Sequence, residues 1–225
     1  MNSFKIIKNE VIKLFIAISL LFVMAGRISY WQAYGYLLIN LIFFVVIVIM
    51  SIKNKDFANL LKGNAFSKQY KYEWDRFFWI LYWPIYFGIF IVAGFDAGRY
   101  GWTRISGNVL YILAYLVYIG SYSFILWAMR INKYFSGTAH VQKEYQLIKE
   151  GPYQLVRHPG YLGAIFLLVS SAIILGSLWA LIAAIIGAFL LVIRAGLEDS
   201  ILCDNLAGYL DYTKKIRYRL IPGVW

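Results

Sequence analysis

The chain has 225 residues, of which 61% are hydrophobic, and its mean hydropathy is +0.64. This composition leaves no room for a soluble domain and indicates a protein that crosses the membrane several times. The single cysteine excludes an intrachain disulfide, and two histidines are too few for a Cys/His cluster, so no metal is expected. The net charge of +11 would suit nucleic acid, but the placement of the charges indicates membrane topology instead, so no nucleic-acid partner is expected.

Six apolar segments are predicted to cross the bilayer as helices, because each approaches the roughly 20 apolar residues that such a helix needs. The first is predicted to be an uncleaved span, since no small-x-small cleavage site stands before Arg27. The run 161–197 is too long for one helix, and Gly176-Ser177 divides it into a tight hairpin of two spans. In chain order the segments are 14–25, 31–52, 77–95, 107–129 and the two halves of 161–197. The prediction is an all-α polytopic membrane protein with about six transmembrane helices.

The basic residues predict which way the chain is inserted. Of the 22 lysines and arginines, only Arg27, Arg99 and Arg104 fall in one set of alternate loops. The others cluster near the two termini and in the connections 53–76 and 130–157. Because lysine and arginine concentrate in cytoplasmic loops, both termini and these connections are predicted to be cytoplasmic. We expect an integral multi-pass protein of the cell or inner membrane, with the lipid bilayer as its partner.

The chemically densest stretch is 151–163, which reads Gly-Pro-Tyr-Gln-Leu-Val-Arg-His-Pro-Gly-Tyr-Leu-Gly. Its glycines and prolines force irregular backbone, which is stable beside a membrane only where protein or a watery cavity satisfies its amides. A binding site is the natural reason for such a segment. Downstream, Arg194 and Glu198 stand four residues apart and share a helix face, and Asp199 follows them. Ionisable groups at a membrane boundary are functional candidates by default.

Each of these residues also has a structural interpretation. Arg194 could extend from a helix end to the headgroups, and Glu198 could pair with Arg194 or lie on the surface. A proline in the first turn of a helix is ordinary, and a lone histidine such as His158 is more often a structural hydrogen-bonding group than a catalytic one. Tyr153 and Tyr161 could be interfacial aromatics in a chain with 19 tyrosines. The arrangement of these residues together favours a function.

This arrangement resembles that of a known family. It consists of Gly-x-Tyr-x-x-x-Arg-His-Pro-x-Tyr-x-Gly, an apolar hairpin, Arg-x-x-x-Glu-acid, and a tail with Tyr-x-x-Tyr and a late proline. The pattern is similar to that of the isoprenylcysteine carboxyl methyltransferases, whose wider group includes phospholipid N-methyltransferases. The similarity covers residues 142–222, about a third of the chain. Asp199 stands where the family has a second glutamate.

The resemblance implies a pocket for S-adenosylmethionine on the cytoplasmic side, formed by the loop before the hairpin and the end of its second helix. It makes Glu198 a cofactor contact and Arg194 a substrate contact suited to a bidentate pair with a carboxylate, and both are catalytic candidates. The other cofactor contacts that it implies are Gln142, Tyr145, Gln146, Leu147, Ile148, Tyr153, His158, Pro159, Gly160 and Tyr161. Arg157 is added on chemical grounds, because the carboxylate of this cofactor requires a cation or amide donors.

The sequence is interpreted as one integrated membrane domain with two parts. Residues 1–130 hold the first four spans and are expected to determine acceptor specificity. Residues 131–225 hold the cofactor loop, the hairpin and an interfacial C-terminal helix. The predicted activity is methyl transfer from S-adenosylmethionine to a small or lipid-like carboxylate, thiol or amine. Two alternatives stay open: a membrane reductase of the sterol-reductase type that uses NADPH, and a non-enzymatic lipid-binding or transport protein.

Overall fold

The computed structural model of the chain describes residues 3–64, 71–139 and 145–225. Within these ranges every regular element is helical, so the predicted all-α fold is confirmed. The α-helices are α1 (Ser3–Ala25), α2 (Trp31–Lys53), α3 (Lys55–Asn64), α4 (Glu73–Ala93), α5 (Asn108–Ile131), α6 (Pro159–Ile174), α7 (Leu178–Asn205) and α8 (Tyr209–Lys215). A π-helix, Gly94–Tyr100, continues α4, and a short 3-10 helix, Gly151–Gln154, precedes α6.

In the part of the chain that the structure describes, four helical segments are long and apolar enough to cross a membrane. They are Trp31–Lys53, Glu73–Tyr100, Asn108–Ile131 and Leu178–Asn205, and each coincides with a predicted span. The other two predicted spans fall on shorter apolar segments, Val11–Ala25 and Pro159–Ile174. At 1.5 Å per residue, the 16 residues of α6 extend about 24 Å, less than the ~30 Å hydrocarbon core. The count of six spans and the cytoplasmic termini therefore stay predictions.

The far end of α4 differs from the prediction. The sequence predicts a short turn over 96–106, whereas Gly94–Tyr100 forms a π-helical turn. The buried carboxylate of Asp96 explains the difference. It accepts hydrogen bonds from the backbone N–H of Thr103 at 2.7 Å, from the Ser177 hydroxyl at 2.6 Å, and from the Thr103 hydroxyl. These bonds hold the end of α4 against the turn between α6 and α7.

The predicted hairpin of α6 and α7 is present. Gly176 has φ of +75°, a left-handed conformation that favours glycine, and the Ser177 hydroxyl caps α7 by accepting from the N–H of Ala180 at 3.0 Å. Helix α6 also lies close against α5, because a Cβ added to Gly163 would lie only 2.5 Å from Cγ1 of Ile125. The hairpin brings the start of α6 and the end of α7 to the same end of the bundle.

One hydrophobic core joins the two halves of the chain. It contains buried side chains of every long helix, among them Leu21 of α1, Tyr36 of α2, Phe90 of α4, Tyr118 of α5 and Leu191 of α7. Helices α2, α4 and α5 pack directly on the hairpin, and α4 and α5 therefore lie beside any site at its open end.

Candidate active site

A cavity of about 310 Å³ lies at the open end of the α6–α7 hairpin. This volume is at the lower end of the ~300–1,000 Å³ that small-molecule sites occupy. The predicted site residues that line it are Tyr145, Gln146, Leu147, Ile148, Tyr153, Arg157, His158, Pro159, Gly160, Tyr161, Arg194 and Glu198. Gln142 lies outside the described residues. All the other predicted cofactor and substrate contacts therefore share one cavity, whereas Asp199 lies outside its lining.

The irregular backbone before α6 is satisfied by the C-terminal tail. Pro159 occupies the first turn of α6, where its missing N–H costs no hydrogen bond. Just before it, the N–H groups of Arg157 and His158 donate to the carbonyls of Tyr218 and Arg219, at 3.0 and 2.9 Å. The tail thus supplies the protein partner that the sequence analysis required for this segment.

Arg157 is bound mainly to Asp199. Its Nε and Nη2 donate to the two carboxylate oxygens, each at 2.8 Å, in the bidentate geometry typical of strong pairs. Its Nη1 donates to the carbonyls of Ile216 and Arg217 in the tail, each at 2.9 Å. Burial lowers the pKa of Arg157, but the hydrogen bonds and charge of Asp199 outweigh burial and hold the pKa above its ordinary value. The cofactor contact predicted for Arg157 stays a prediction, and its present contacts hold the tail in place.

Asp199 is the centre of a wider network. Its carboxylate also accepts hydrogen bonds from the Tyr209 hydroxyl at 2.7 Å and from Nε of Arg219 at 2.9 Å, and it lies 3.2 Å from Nε2 of His158. Burial, and then the charge of Asp199, raise the pKa of Tyr209, so its phenol is a neutral donor at physiological pH. The network joins the loop before α6, the end of α7 and the tail. It gives His158 a hydrogen-bonding partner at the cavity wall.

Arg194 lies inside the protein and does not reach toward the headgroups. It is 1% exposed and forms an ion pair with Asp75 of α4 through Nη1. Its Nε donates to the Tyr161 hydroxyl at 2.8 Å, and its Nη2 donates to the carbonyl of Gly137 at 2.7 Å. The guanidinium also lies 4.4 Å from the ring centroid of Phe78. Three protein partners thus fix the orientation of Arg194, and its predicted contact with a substrate stays a prediction.

The sequence analysis missed the contribution of α4, which lines the cavity with Phe78, Trp79 and Tyr82 and supports it through Asp75. Asp75 is fully buried at the start of α4, and its second oxygen accepts a hydrogen bond from the N–H of Ala139 at 2.8 Å. One turn later, Trp79 donates from Nε1 to the carbonyl of Gly137 at 2.9 Å. Asp75 and Trp79 stand four residues apart at the start of an aromatic-rich span, and this spacing was the available signal. Helix α4 therefore holds one wall of the cavity and the loop that covers it.

Glu198 presents its carboxylate to the cavity. It is half-buried and accepts a hydrogen bond from the Tyr161 hydroxyl, which itself accepts from Arg194. Burial, and then the negative charge of Glu198, raise the pKa of Tyr145, which lines the same cavity. Asp75 and Asp199 are both paired with arginines, so Glu198 is the acidic group that lines this cavity among the described residues.

A family comparison gives this geometry a context. The model described as phospholipid methyltransferase matches residues 102–205. This part of the chain is therefore similar to the phospholipid methyltransferases. The resemblance seen in the sequence is thereby confirmed for this part of the chain, and the match supports a membrane methyltransferase. No curated protein matches the chain significantly.

The phospholipid methyltransferase match begins shortly before α5 and ends with α7. It includes Arg157, Tyr161, Arg194 and Glu198. It leaves out α1 to α4, and with them Asp75, and it also leaves out the tail. The part of the cavity wall formed by α4 therefore lies outside the family match.

Proposed function

We propose that the protein is a membrane methyltransferase that uses S-adenosylmethionine to methylate a small or lipid-like acceptor at the cytoplasmic face. The observation that supports it best is the convergence of the predicted contacts on one cavity. They come from three separate segments, 145–148, 153–161 and 194–198, and all of them were named from the sequence before the cavity was seen. A common cavity of about 310 Å³ suits a ligand of the cofactor's size class.

The residues of the cavity fit the chemistry of this cofactor. It carries a sulfonium, an ammonium, a carboxylate, a ribose diol and an adenine. The carboxylate of Glu198 suits the cationic groups or the diol, and the rings of Tyr145, Tyr153 and Tyr161 suit the adenine. Burial raises the pKa of Tyr153, so its phenol stays neutral at physiological pH, and Asn132 donates to its oxygen at 2.9 Å. No pyrophosphate has to be bound, so a glycine-rich dinucleotide fingerprint is not required.

Bound S-adenosylmethionine supplies an activated methyl group: the acceptor's lone pair forms the new bond to carbon, and the electrons of the broken carbon–sulfur bond remain on sulfur. The protein's part is to align the reactants and exclude water. Tyr161, held between Arg194 and Glu198, fixes the Glu198 carboxylate in the cavity. A carboxylate acceptor is already ionised at pH 7, whereas a thiol or amine must lose a proton, for which Glu198 or His158 is the nearest base.

The cytoplasmic assignment rests on the distribution of basic residues. The cavity lies at the end of the bundle that carries the connection 130–157 and the basic tail, whereas Arg27, Arg99 and Arg104 lie in or near the loops at the other end. Because lysine and arginine concentrate on the cytoplasmic side, the cavity is expected to open there.

Calorimetric titration of the detergent-purified protein with S-adenosylmethionine, S-adenosylhomocysteine and NADPH tests the proposal. Binding of the first two is expected, together with a loss of about 10- to 150-fold in affinity in Glu198→Gln, because a charge-assisted hydrogen bond contributes about 1.5–3 kcal/mol. The matched control is Glu150→Gln, an exposed acid just before the 3-10 helix, which should bind normally. Binding of NADPH alone would favour the reductase. If the folded protein binds none of the three compounds, a lipid-binding or transport protein is favoured.

A further inference from the structure

A second cavity, of about 370 Å³, lies inside the bundle formed by α1, α2, α4, α5 and α6. We call it the bundle cavity. It adjoins the candidate active site, because Trp79, Tyr82 and Ile125 line both cavities. Its aromatic lining residues are Tyr36, Phe44, Trp79, Tyr82, Trp83, Tyr86, Tyr118 and Tyr122. Most of these residues belong to α2 and α4, outside the family match, so the bundle cavity is largely a feature of this chain's own first half.

The walls of the bundle cavity are built from ordered ring pairs. On α4, Trp79 stacks on Trp83 with ring centroids 5.6 Å apart and 27° between the planes, and Tyr82 stacks on Tyr86 in the same way at 6.3 Å. The Trp79 indole is further fixed by its hydrogen bond to the loop over the first cavity. A rigid aromatic surface of this kind binds flat rings through offset or edge contacts.

On the opposite wall of the bundle cavity, polar side chains already form hydrogen bonds within the protein. The Tyr118 hydroxyl donates to Oδ1 of Asn40 at 2.8 Å, and Nδ2 of Asn40 donates to the carbonyl of Tyr36 at 2.8 Å. At the α1 end, Nζ of Lys13 lies 5.9 Å from the ring centroid of Trp83. A cation already lies against this aromatic surface, so the bundle cavity favours an uncharged body over a cationic one.

We propose that the bundle cavity binds the apolar body of the methyl acceptor, and that this body is a compact ring system. The proposal rests on the proposed function. The acceptor's nucleophilic head would pass between Trp79, Tyr82 and Ile125 to the first cavity, which these three residues also line. Binding energy from the ring body would then hold the reacting atom in place.

The size of the bundle cavity sets the class of acceptor. A volume of about 370 Å³ is that of roughly a dozen water molecules at ~30 Å³ each. Two acyl chains, each about as long as half of the ~30 Å hydrocarbon core, exceed this volume. A fused or substituted ring of drug-like size fits the ~300–1,000 Å³ typical of enclosed ligand sites. The cavity therefore suits the body of a compact ring-bearing amphiphile better than the two acyl chains of a diacyl phospholipid.

Equilibrium dialysis with radiolabelled 2-naphthol tests the site without relying on activity. Ala17, 2% exposed, and Leu14 both line the bundle cavity, so Ala17→Phe and Leu14→Trp should fill it. The matched control is Ile16→Phe on the same helix, whose side chain is 40% exposed. The Kd for 2-naphthol is expected to rise at least about tenfold in the filled variants and to stay unchanged in the control. The calorimetric Kd for S-adenosylhomocysteine should stay within about twofold in all of them.

Methyl-labelled S-adenosylmethionine then tests the acceptor class. Naphthalene compounds bearing a carboxylate, thiol or amine should receive the label, and Ala17→Phe should abolish this transfer, whereas phosphatidylethanolamine vesicles should receive none. The proposal is overturned if only phosphatidylethanolamine receives the label. It is also overturned if the wild type does not bind 2-naphthol, or if the filled and control variants bind it equally well. Failure of the proposed function is recognised separately, as wild-type protein that does not bind S-adenosylhomocysteine. In that case the acceptor role is overturned too. If the filled variants alone then lose 2-naphthol binding, the bundle cavity is a site that binds rings and has no role in methyl transfer.

Discussion

Asp75 and Arg194 form the buried contact on which the candidate site most depends. Both side chains are essentially inaccessible, at 0% and 1%, and together they hold the loop at Gly137 and Ala139. A buried ion pair need not be more stabilising than apolar residues of the same volume. Removal of one partner nevertheless costs about 3–5 kcal/mol, because the other charge is left buried without compensation. The pair therefore acts as a geometric constraint between α4 and α7.

Asp75→Leu and Arg194→Met are each expected to lower the melting temperature of the purified protein. The double variant that combines them should lose less than the sum of the two single losses. The reason is that the double variant leaves no unpaired charge in the interior. Thermal unfolding followed by tryptophan fluorescence measures this. Asp56→Asn, an exposed acid at the start of α3, is the control and should melt like the wild type. Strictly additive losses would show that the two residues are not coupled.

The same pair predicts how Arg194 acts on an acceptor. If Arg194 acts through its position, Arg194→Lys and Asp75→Asn should change acceptor KM in the same direction, because both disturb the orientation of the guanidinium. Steady-state kinetics with an accepted substrate measures this. A KM that rises only in Arg194→Lys would instead favour the direct bidentate contact that the family resemblance implies.

Tyr161→Phe is expected to weaken cofactor binding. Its hydroxyl bridges Arg194 and Glu198, so its removal leaves Nε of Arg194 without its acceptor and frees the Glu198 carboxylate to move. An unsatisfied buried donor costs about 1–3 kcal/mol. If the whole cost falls on cofactor binding, the affinity drops about 5- to 150-fold. Calorimetry with S-adenosylhomocysteine measures this, with Tyr218→Phe at an exposed position as the control. Equal affinity in both variants would remove Tyr161 from the binding site.

At the scale of elements, local sequence patterns predicted the helices and the hairpin but not the long-range side-chain contacts between them. Apolar runs, Gly176-Ser177 and the Gly/Pro-rich stretch are local signals, and the structure has the corresponding helices, turn and irregular loop in those places. The pairing of Asp75 with Arg194 spans 119 residues along the chain. No local pattern distinguishes Asp75 from the other acids as the partner of that arginine. The π-helical turn at Asp96 was missed for the same reason, since its partners Thr103 and Ser177 lie in other elements.

The tail is held to the hairpin by the network around Asp199, and its release can be measured. Asp199→Asn removes a charge shared by Arg157, Arg219 and Tyr209, and trypsin sites at 214–219 lie within the tail. Tryptic cleavage there is expected to accelerate several-fold, because local opening exposes the backbone to the protease. The control is Asp211→Asn, whose exposed pair with Lys214 should contribute almost nothing. Unchanged cleavage in Asp199→Asn would mean that packing alone holds the tail.

For the whole molecule, the length of α7 indicates the depth of the site. Its 28 residues extend about 42 Å, longer than the ~30 Å hydrocarbon core. Arg194 and Glu198 lie about 24 and 30 Å from its start, so with that start at one edge of the core they reach the opposite edge. In this placement the first cavity lies at a membrane boundary, where the proposed water-soluble cofactor and lipophilic acceptor can both arrive.

If the first cavity lies at one membrane boundary, the short helix α6 must connect the two faces of the membrane. Its far end is fixed beside the loop after α4, since the N–H of Ile105 donates to the carbonyl of Gly176 at 3.2 Å, and its near end begins at the candidate site. With Cys203 replaced by serine, single cysteines at the exposed positions Ser106 and Lys149 should react with a membrane-impermeant maleimide from opposite sides. Lys149→Cys is expected to react from the cytoplasm, because the connection that contains it is rich in basic residues. Reaction of both from one side would mean that α5, which lies between the two positions, does not cross the membrane. Helix α6, whose far end lies beside Ile105, would then not cross either.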